Sequence, residues 1–224
     1  MKISIIIPAR NEAENIGSLL QSLQMFRKNG HELILVDGYS EDKTASIADP
    51  LVDKLIKTPA SRALQMNVGA GEATGDVLWF LHADSIVPKQ ADRLIINAVT
   101  MKTFTWGRFD IRLSGRQYLF RLVEASMNLR SRLTGIATGD QGVFVSRGLF
   151  YKAGGFPEQC LMEDVALSKH LKKYQAPICL HEKLETSSRR WEQRGIIRTI
   201  LLMWRLRLAY FLGVPVDKLA LHYD

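Results

Sequence analysis

Short apolar segments alternate along the chain with segments whose apolar residues recur at helical spacing. Nearly uninterrupted apolar runs predict strands buried on both faces, and apolar positions three or four residues apart predict helices. The predicted strands are residues 3–7, 33–36 and 77–83. The predicted helices begin near Asn11, Ser40, Ser61 and Pro88. We expect Pro8 to stop the first strand and Pro50 to cut the second helix. This alternation favours an α/β domain with a parallel sheet.

The pattern changes after residue 105. Phe109, Ile111 and Leu113 alternate with charged residues, which predicts a half-exposed, antiparallel strand. The elements predicted beyond it are a helix at 120–129, a glycine-rich loop at 135–142, strands at 143–145 and 178–180, a helix at 163–174 and a last long helix at 193–212. The expected fold is therefore a mostly parallel central sheet flanked by helices, with a smaller antiparallel part.

Composition indicates a globular protein. The 224 residues are 46% hydrophobic and 24% charged, which fits one domain of ordinary to large size. Charged residues bracket the short apolar stretch at the start, so no secretion signal is expected. No uncharged apolar run approaches the roughly 20 residues that a bilayer requires. Cys160 and Cys179 are too few for a disulfide scaffold and indicate a reducing, cytoplasmic location.

Acidic residues follow the predicted strands and open one helix. Arg10, Asn11 and Glu12 follow the first strand, Asp37 the second and Asp84 the third, while Glu163 and Asp164 open a later helix. The carboxyl ends of parallel strands form one ligand-binding edge. Acids gathered there repel each other unless a cation is present, and Mg²⁺ or Mn²⁺ shared with substrate phosphates meets that need. Turn chemistry at Asp37 and helix capping at Glu163 are the simpler alternatives. No Walker or dinucleotide glycine-rich loop occurs.

Four blocks resemble the family 2 nucleotide-sugar glycosyltransferases in order and spacing. They are residues 4–12 (SIIIPARNE), 36–44 (VDGYSEDKT), 82–84 (HAD) and 163–164 (ED). The resemblance covers about residues 1–190. Residues 62–70 (RALQMNVGA) and 187–191 (SSRRW) are similar to one small bacterial branch of that family.

The resemblance implies a GT-A fold and inverting transfer from a nucleotide diphospho-sugar, usually UDP-linked, to an unidentified acceptor. It implies a single domain over residues 1–224. Within that domain residues 1–100 would bind the donor, 101–190 the acceptor, and 191–224 would form a basic amphipathic helix. The residues that it would assign to the nucleotide are Pro8, Ala9, Arg10, Glu12, Asp37, Arg62 and Asp84.

The resemblance also implies chemical roles. Asp84 would hold Mn²⁺ or Mg²⁺ against the diphosphate, and Arg62 would contact the phosphates. Asp164 would be the general base that deprotonates the acceptor hydroxyl, and Glu163 would orient the acceptor or that base.

The chain departs from the usual Asp-x-Asp motif, because His82 stands in place of the first aspartate. His82 is either a metal ligand or a histidine hydrogen-bonded at a strand end. His181, after a later strand, is a further candidate ligand, with a surface role as the alternative. The loop at 138–141 is placed for donor or acceptor contact, which makes Asp140 a candidate. Additional candidates for closing over the diphosphate are Arg189, Arg190 and Trp191.

The basic end of the chain leaves two interpretations open. Residues 189–207 carry six arginines against Glu192, which is +5 of the formal net charge of +7. No nucleic-acid-binding motif accompanies them, so no nucleic-acid partner is expected. A basic amphipathic helix with tryptophan at its margin can lie on an anionic membrane, here the inner face of the cell membrane, and would favour a lipid-like acceptor. Alternatively the helix packs on the domain or forms a homodimer face.

Two rival functions differ in class. A sugar-phosphate nucleotidyltransferase would need a glycine-rich, basic loop directly after the first strand, and residues 8–12 do not supply one. A non-catalytic module that only binds a nucleotide sugar is the other alternative. The presence of both Asp84 and Asp164 argues against it.

Overall fold

The computed structural model describes residues 1–100 and 104–222, apart from the side chain of Arg190. In this part of the chain seven strands form one sheet in the order β3-β2-β1-β4-β6-β5-β7. The strands are β1 (Ile3–Ala9), β2 (Glu32–Asp37), β3 (Lys54–Lys57), β4 (Val77–Phe80), β5 (Trp106–Leu113), β6 (Phe144–Ser146) and β7 (Ile178–Thr186). Strand β6 pairs antiparallel with β4 and β5, and the other pairs are parallel. The expected mixed α/β sheet is confirmed.

Helices cover both faces of the sheet. They are α1 (Ile16–Lys28), α2 (Thr44–Ala48), α3 (Arg62–Glu72), α4 (Ala91–Thr100), α5 (Tyr118–Thr134), α6 (Arg147–Lys152), α7 (Glu163–Lys172), α8 (Arg189–Arg194), α9 (Ile196–Phe211) and α10 (Val216–Ala220). One apolar cluster joins α1 and α4 to one face, and a second joins α3, α6 and α7 to the other. Both-face burial explains the continuous apolar runs of β1, β2 and β4. No helix among residues 1–100 and 104–222 is long and apolar enough to cross a bilayer.

The prediction that Pro8 stops the first strand is wrong. Strand β1 continues to Ala9, because Pro8 sits where its missing N–H costs no ladder bond. The Ile6 carbonyl accepts from Leu81 N on the β4 side, and the Ala9 carbonyl accepts from Gly38 N on the β2 side. Alternation therefore aims the Pro8 nitrogen toward β4, whose pairing with β1 has already ended at Ile6.

The predicted caps of the first two helices are also wrong. Helix α1 begins four residues later than expected, and Asn11 instead adopts a left-handed backbone conformation with φ of 54°. Its side-chain oxygen accepts from Glu41 N at 2.9 Å, while Ser40 Oγ accepts from Asn11 N. Asp42, rather than Ser40, accepts from the first amide of α2. These bonds tie together the loops that follow β1 and β2.

Strand β5 is not half-exposed. Arg108 and Asp110 are buried and form an ion pair inside the protein, and only Arg112 of the charged residues is exposed. Asp110 also binds Arg132 of α5 at 2.7 Å. Arg108 and Asp110 face α5 instead of solvent, so both faces of the strand are packed over most of its length. The strand is antiparallel to β6, as expected, but parallel to β7.

The last long helix is broken. Gly195 has φ of 83° and separates α8 from α9. Buried residues of α9 and α10 pack on the segment that leads into α7, through Leu206 and Leu219 against Leu161, Met162 and Val165. The C-terminal helices therefore support the start of α7 while leaving much of α9 exposed.

Candidate active site

A cavity of about 670 Å³ opens at the carboxyl ends of the central strands. One part of its wall is polar and the other is apolar. The residues singled out from the sequence that line it are Glu12, Arg62, His82, Asp84, Asp140, Glu163, Asp164, Arg189 and Trp191. The apolar wall comes mainly from α5 and α9. The folding of the chain thus brings together residues that are up to 195 positions apart (Glu12 to Arg207).

Asp84 lies just past the end of β4, on the turn that His82 begins. Burial raises the pKa of the Asp84 carboxyl, and the positive charges of Arg62 and Arg189 oppose that shift. Burial also lowers the pKa of His82 to about 3, with Arg62 adding to the effect. His82 is therefore a neutral imidazole at physiological pH, and Asp84 is a carboxylate that a further cation would stabilise.

The start of α7 carries the second pair of acids. Met162, with φ of 61°, is the residue before the helix, and Glu163 and Asp164 form its first turn. Asp164 Oδ2 accepts from Gly139 N at 2.8 Å, and Oδ1 accepts from Val165 N at 2.7 Å. Burial raises the pKa of Asp164. Burial and the neighbouring Asp164 charge raise the pKa of Glu163 to about 7. Glu163 therefore gains or loses its proton near neutral pH.

Gly139 connects the two groups of acids. Its amide binds Asp164, and a β-carbon at this position would come within 2.5 Å of His82 Nε2. The loop is held in shape by Gln141, whose side-chain oxygen accepts from the Thr138 amide. Position 139 therefore requires a residue without a side chain, so that the His82 ring and the Asp164 carboxylate can both approach the loop.

Arg130 on α5 is a site residue that sequence reasoning missed. It is a partly buried cation, and burial lowers its pKa, while the charges of Asp140 and Asp164 oppose that shift. Its Nε and Nη2 atoms are buried and make no hydrogen bond within the described residues. Asp140 is close enough to interact with this charge, and burial raises the pKa of the Asp140 carboxyl. Arg130 thus supplies positive charge behind the acids of α7 without lining the cavity.

Residues predicted to hold the nucleoside sit beside the cavity at the ends of β1 and β2. The register pairs Pro8 with Val36 and Ala9 with Asp37. Gln65 of α3 fixes both strand ends, because its Nε2 donates to the Ala9 and Val36 carbonyls. Asp37 is buried, and its Oδ1 has no hydrogen-bond partner among the described residues. Arg10 is exposed.

Two further candidates do not join this group. His181 does not line the cavity; its side chain is 84% exposed on β7 and contacts Arg132 at 3.1 Å. The side chain of Arg190 lies outside the described residues. Arg189 lines the cavity and reaches Glu14 at 3.5 Å across its edge.

A divalent metal would have one clear protein ligand here. Within residues 1–100 and 104–222 no three histidine, cysteine or acidic side chains are grouped closely enough to hold an ion. Asp84 supplies a single partly buried carboxylate, and Mg²⁺ or Mn²⁺ sites completed by substrate phosphates need only one or two. The donor set therefore fits a metal that binds together with a diphosphate.

Known proteins resemble this chain in sequence and in fold. The beta-monoglucosyldiacylglycerol synthase of Synechocystis is 25% identical over 87% of the chain, which spans 46% of that relative's length. The crystal structure of S. aureus TarS with UDP-GlcNAc has a TM-score of 0.70 at 20% identity, covering 84% of this chain and 58% of that one. The Pyrobaculum calidifontis mannosyltransferase PcManGT with GDP-Man and Mn²⁺ has a TM-score of 0.66 at 20% identity, covering 92% and 60%. These neighbours confirm the expected GT-A fold.

The family model for glycosyl transferase family 2 matches residues 4–144. That span includes Glu12, Arg62, His82 and Asp84, which line the cavity on the strand side. The chain therefore belongs to glycosyl transferase family 2.

Proposed function

We propose that this protein transfers a sugar from a nucleotide diphospho-sugar, UDP-linked, to the hydroxyl of a lipid-like acceptor, with inversion at the anomeric carbon. The observation that carries the proposal is the cavity itself, in which Asp84 and Arg62 lie on the strand side and Asp164 and Glu163 on the α7 side. TarS has been solved with UDP-GlcNAc and PcManGT with GDP-Man and Mn²⁺, which supports a nucleotide-sugar donor. The name of the Synechocystis relative supports a lipid-like acceptor.

In this proposal the donor lies across the ends of β1, β2 and β4. The unpaired, buried Oδ1 of Asp37 accepts a hydrogen bond from the nucleoside. Arg62 and Arg189 face the diphosphate, whose charge their guanidinium groups match. Asp84 holds Mn²⁺ or Mg²⁺, which when bound offsets the charge of the departing nucleotide diphosphate as a Lewis acid.

Asp164 acts on the acceptor. Its two oxygens are fixed by the amides of Gly139 and Val165, so the carboxylate keeps one orientation. The acceptor oxygen forms the new bond to the anomeric carbon, the bond from that carbon to the diphosphate oxygen breaks, and the hydroxyl proton passes to Asp164. Glu163, with a pKa of about 7, orients the acceptor by a hydrogen bond.

A donor panel tests the proposal. Thermal unfolding is followed with UDP-, GDP-, dTDP- and CDP-linked sugars in the presence of Mn²⁺, and each donor is then assayed for slow hydrolysis. We expect stabilisation by UDP-linked donors together with measurable hydrolysis. No stabilisation by any nucleotide would reject the donor site, and stabilisation without hydrolysis or transfer would favour the non-catalytic binding module.

Arg130 gives a second prediction, through the pH dependence of the rate. A general base works only when ionised, so we expect kcat/KM to fall as pH drops below about 7, where the Glu163–Asp164 pair takes up a proton. The Arg130 charge lowers the pKa of Asp164. Arg130→Met removes that charge, so the acid limb of the kcat/KM profile should move up by about one pH unit.

Arg132→Met is the matched control for this prediction. Arg132 lies two residues further along α5, but its partner is Asp110 rather than Asp164. The acid limb of the kcat/KM profile of Arg132→Met should stay at the wild-type pH. Equal profiles for Arg130→Met and the wild type would show that Arg130 does not tune the base.

A further inference from the structure

The cavity is much more apolar than donor binding requires. Beyond Asp164 and Glu163 its wall is formed by α5, by the segment before α7, and by α8 and α9. The apolar residues of this wall are Leu119, Leu122, Val123, Met127, Leu161, Met162, Trp191, Ile200, Met203 and Trp204. A nucleotide diphospho-sugar is polar along its whole length and gains nothing from such a surface. An apolar chain attached to the acceptor would gain free energy from burial there.

The apolar wall reaches the protein surface between α5 and α9. Leu119 and Leu122 of α5 line the cavity and are 45% and 54% exposed, while Trp204 of α9 lines it and is 67% exposed. Residues that both line a cavity and face solvent form its mouth. An apolar chain can therefore enter between these two helices with its end directed at Asp164.

Both helices carry exposed apolar stripes beside this mouth. On α9 the stripe is Ile197, Leu201, Trp204, Leu208 and Phe211, spaced four and three residues apart and each at least 60% exposed. On α5 the exposed residues Tyr118, Leu122, Leu129 and Leu133 follow helical spacing as well. Contiguous exposed apolar surface of this kind marks a surface that contacts membrane or protein.

The charge of α9 favours a membrane over a second copy of this chain. Arg198 and Arg205 are exposed and lie seven residues apart on one side of the stripe, and residues 196–211 contain no acidic residue. Two such helices paired around a two-fold axis would bring arginines together without carboxylates to neutralise them. Anionic lipid headgroups supply that negative charge, and the apolar stripe beside them would enter the acyl region.

We infer that the α5–α9 mouth rests on an anionic bilayer and that the acceptor is a membrane lipid whose apolar chain enters this cavity with its hydroxyl leading toward Asp164. The inference rests on the proposed function for the identity of the acceptor site. The membrane contact itself depends only on the exposed stripes, the arginines and the cavity mouth.

Vesicle flotation tests the membrane contact. The protein is mixed with vesicles of phosphatidylcholine and phosphatidylglycerol (3:1), or of phosphatidylcholine alone, at low salt. We expect it to float with the anionic vesicles, and Leu208→Glu to lower the partition coefficient by about tenfold or more, since an exposed leucine no longer enters the lipid. Met25→Glu is the matched control, because Met25 is 59% exposed on α1, away from the mouth. It should float like the wild type.

Two flotation results would overturn the inference. One is failure of the wild type to float with anionic vesicles. The other is equal flotation of Leu208→Glu and the wild type. Sedimentation equilibrium on the same samples identifies the competing arrangement: a dimer that Leu208→Glu converts to monomer, with no vesicle binding, assigns the stripe to a second copy of this chain.

Tryptophan quenching tests entry of an apolar chain. Trp191 and Trp204 line the cavity, whereas Trp79 and Trp106 are fully buried in the sheet. We expect 12-bromododecan-1-ol to quench about half of the emission, because two of the four tryptophans line the cavity. Short 2-bromoethanol at the same concentration should quench far less. Ser126→Phe, which fills the lining at an exposed position of α5, should abolish most of the quenching by the long alcohol.

Quenching that persists in Ser126→Phe, or that is absent in the wild type, would contradict a chain-binding cavity. The donor assay separates this failure from failure of the proposed function. If nucleotide-sugar hydrolysis is present but quenching and flotation are not, the lipid acceptor is rejected and the glycosyltransferase proposal stands. If no nucleotide binds while quenching and flotation occur, the glycosyltransferase proposal is rejected, and only the membrane contact and the binding of an apolar chain stand.

Discussion

Asp164→Asn is expected to lower kcat for sugar transfer by about a thousandfold and to leave nucleotide affinity unchanged. General bases contribute about 10² to 10⁴ in rate, and an amide cannot take the acceptor proton. The asparagine side-chain oxygen can still accept the bond from Gly139 N, so the loop should keep its position, and only the local bond from Val165 N is lost. The same substitution should abolish slow donor hydrolysis, because water would also lose its proton to Asp164.

The measurement is single-turnover transfer at saturating donor, with UDP affinity from calorimetry. Asp53→Asn is the control, since Asp53 pairs with Arg27 and accepts from the Leu33 amide near the start of β2, at the opposite end of the sheet. It should keep the wild-type rate. A rate for Asp164→Asn within tenfold of the wild type would show that Asp164 is not the general base. Glu163, with a pKa of about 7, would then be the candidate base.

Asp84→Ala is expected to remove most of the stabilisation that UDP and Mn²⁺ give together. A ligand at a hundred times its Kd stabilises the native state by about 2.7 kcal/mol. For a chain of this size that corresponds to a rise in Tm of about 5–10 °C. Asp84 is the partly buried carboxylate at the strand end that a cation would neutralise, so the alanine variant should retain only the part of the gain that UDP produces without metal.

Differential scanning calorimetry with UDP alone, with Mn²⁺ alone and with both separates the stabilisation by nucleotide from the stabilisation by metal. Without ligands Asp84→Ala should unfold at or above the wild-type temperature, because burial raises the pKa of this carboxyl and removing it relieves that cost. Asp53→Ala, again at the far end of the sheet, should keep the full combined gain. A combined gain in Asp84→Ala equal to that of the wild type would place the metal contact on another residue.

The central fold could be predicted because its strands are buried on both faces. Uninterrupted apolar runs located β1, β2 and β4, and the spacing of apolar residues located α1 and α3. Strand β3 was not predicted, because it is a four-residue, half-buried edge strand with charged residues at both ends. The break between α8 and α9 depends on one glycine with positive φ, and helical periodicity runs through it unchanged.

The strand-end residues of the candidate site could likewise be predicted, since parallel strands deliver their carboxyl ends to one edge. Arg130 could not, because an arginine among other charged residues of a helix usually belongs to a solvated face. Only the folded structure, in which its charge interacts with Asp140 and Asp164, reveals it. His181 was expected just beyond a strand ending at residue 180, but β7 continues to Thr186, so the histidine stands on an exposed position within the strand.

The contact between Gly139 and His82 has an evolutionary consequence. A side chain at position 139 would displace the imidazole, and a smaller residue at position 82 would leave a gap beside the loop that holds Asp164. Neither position can change alone without disturbing the other. An aspartate at position 82 is shorter than the imidazole and would leave room for a side chain at 139, so we expect the two positions to covary even though 57 residues separate them in sequence.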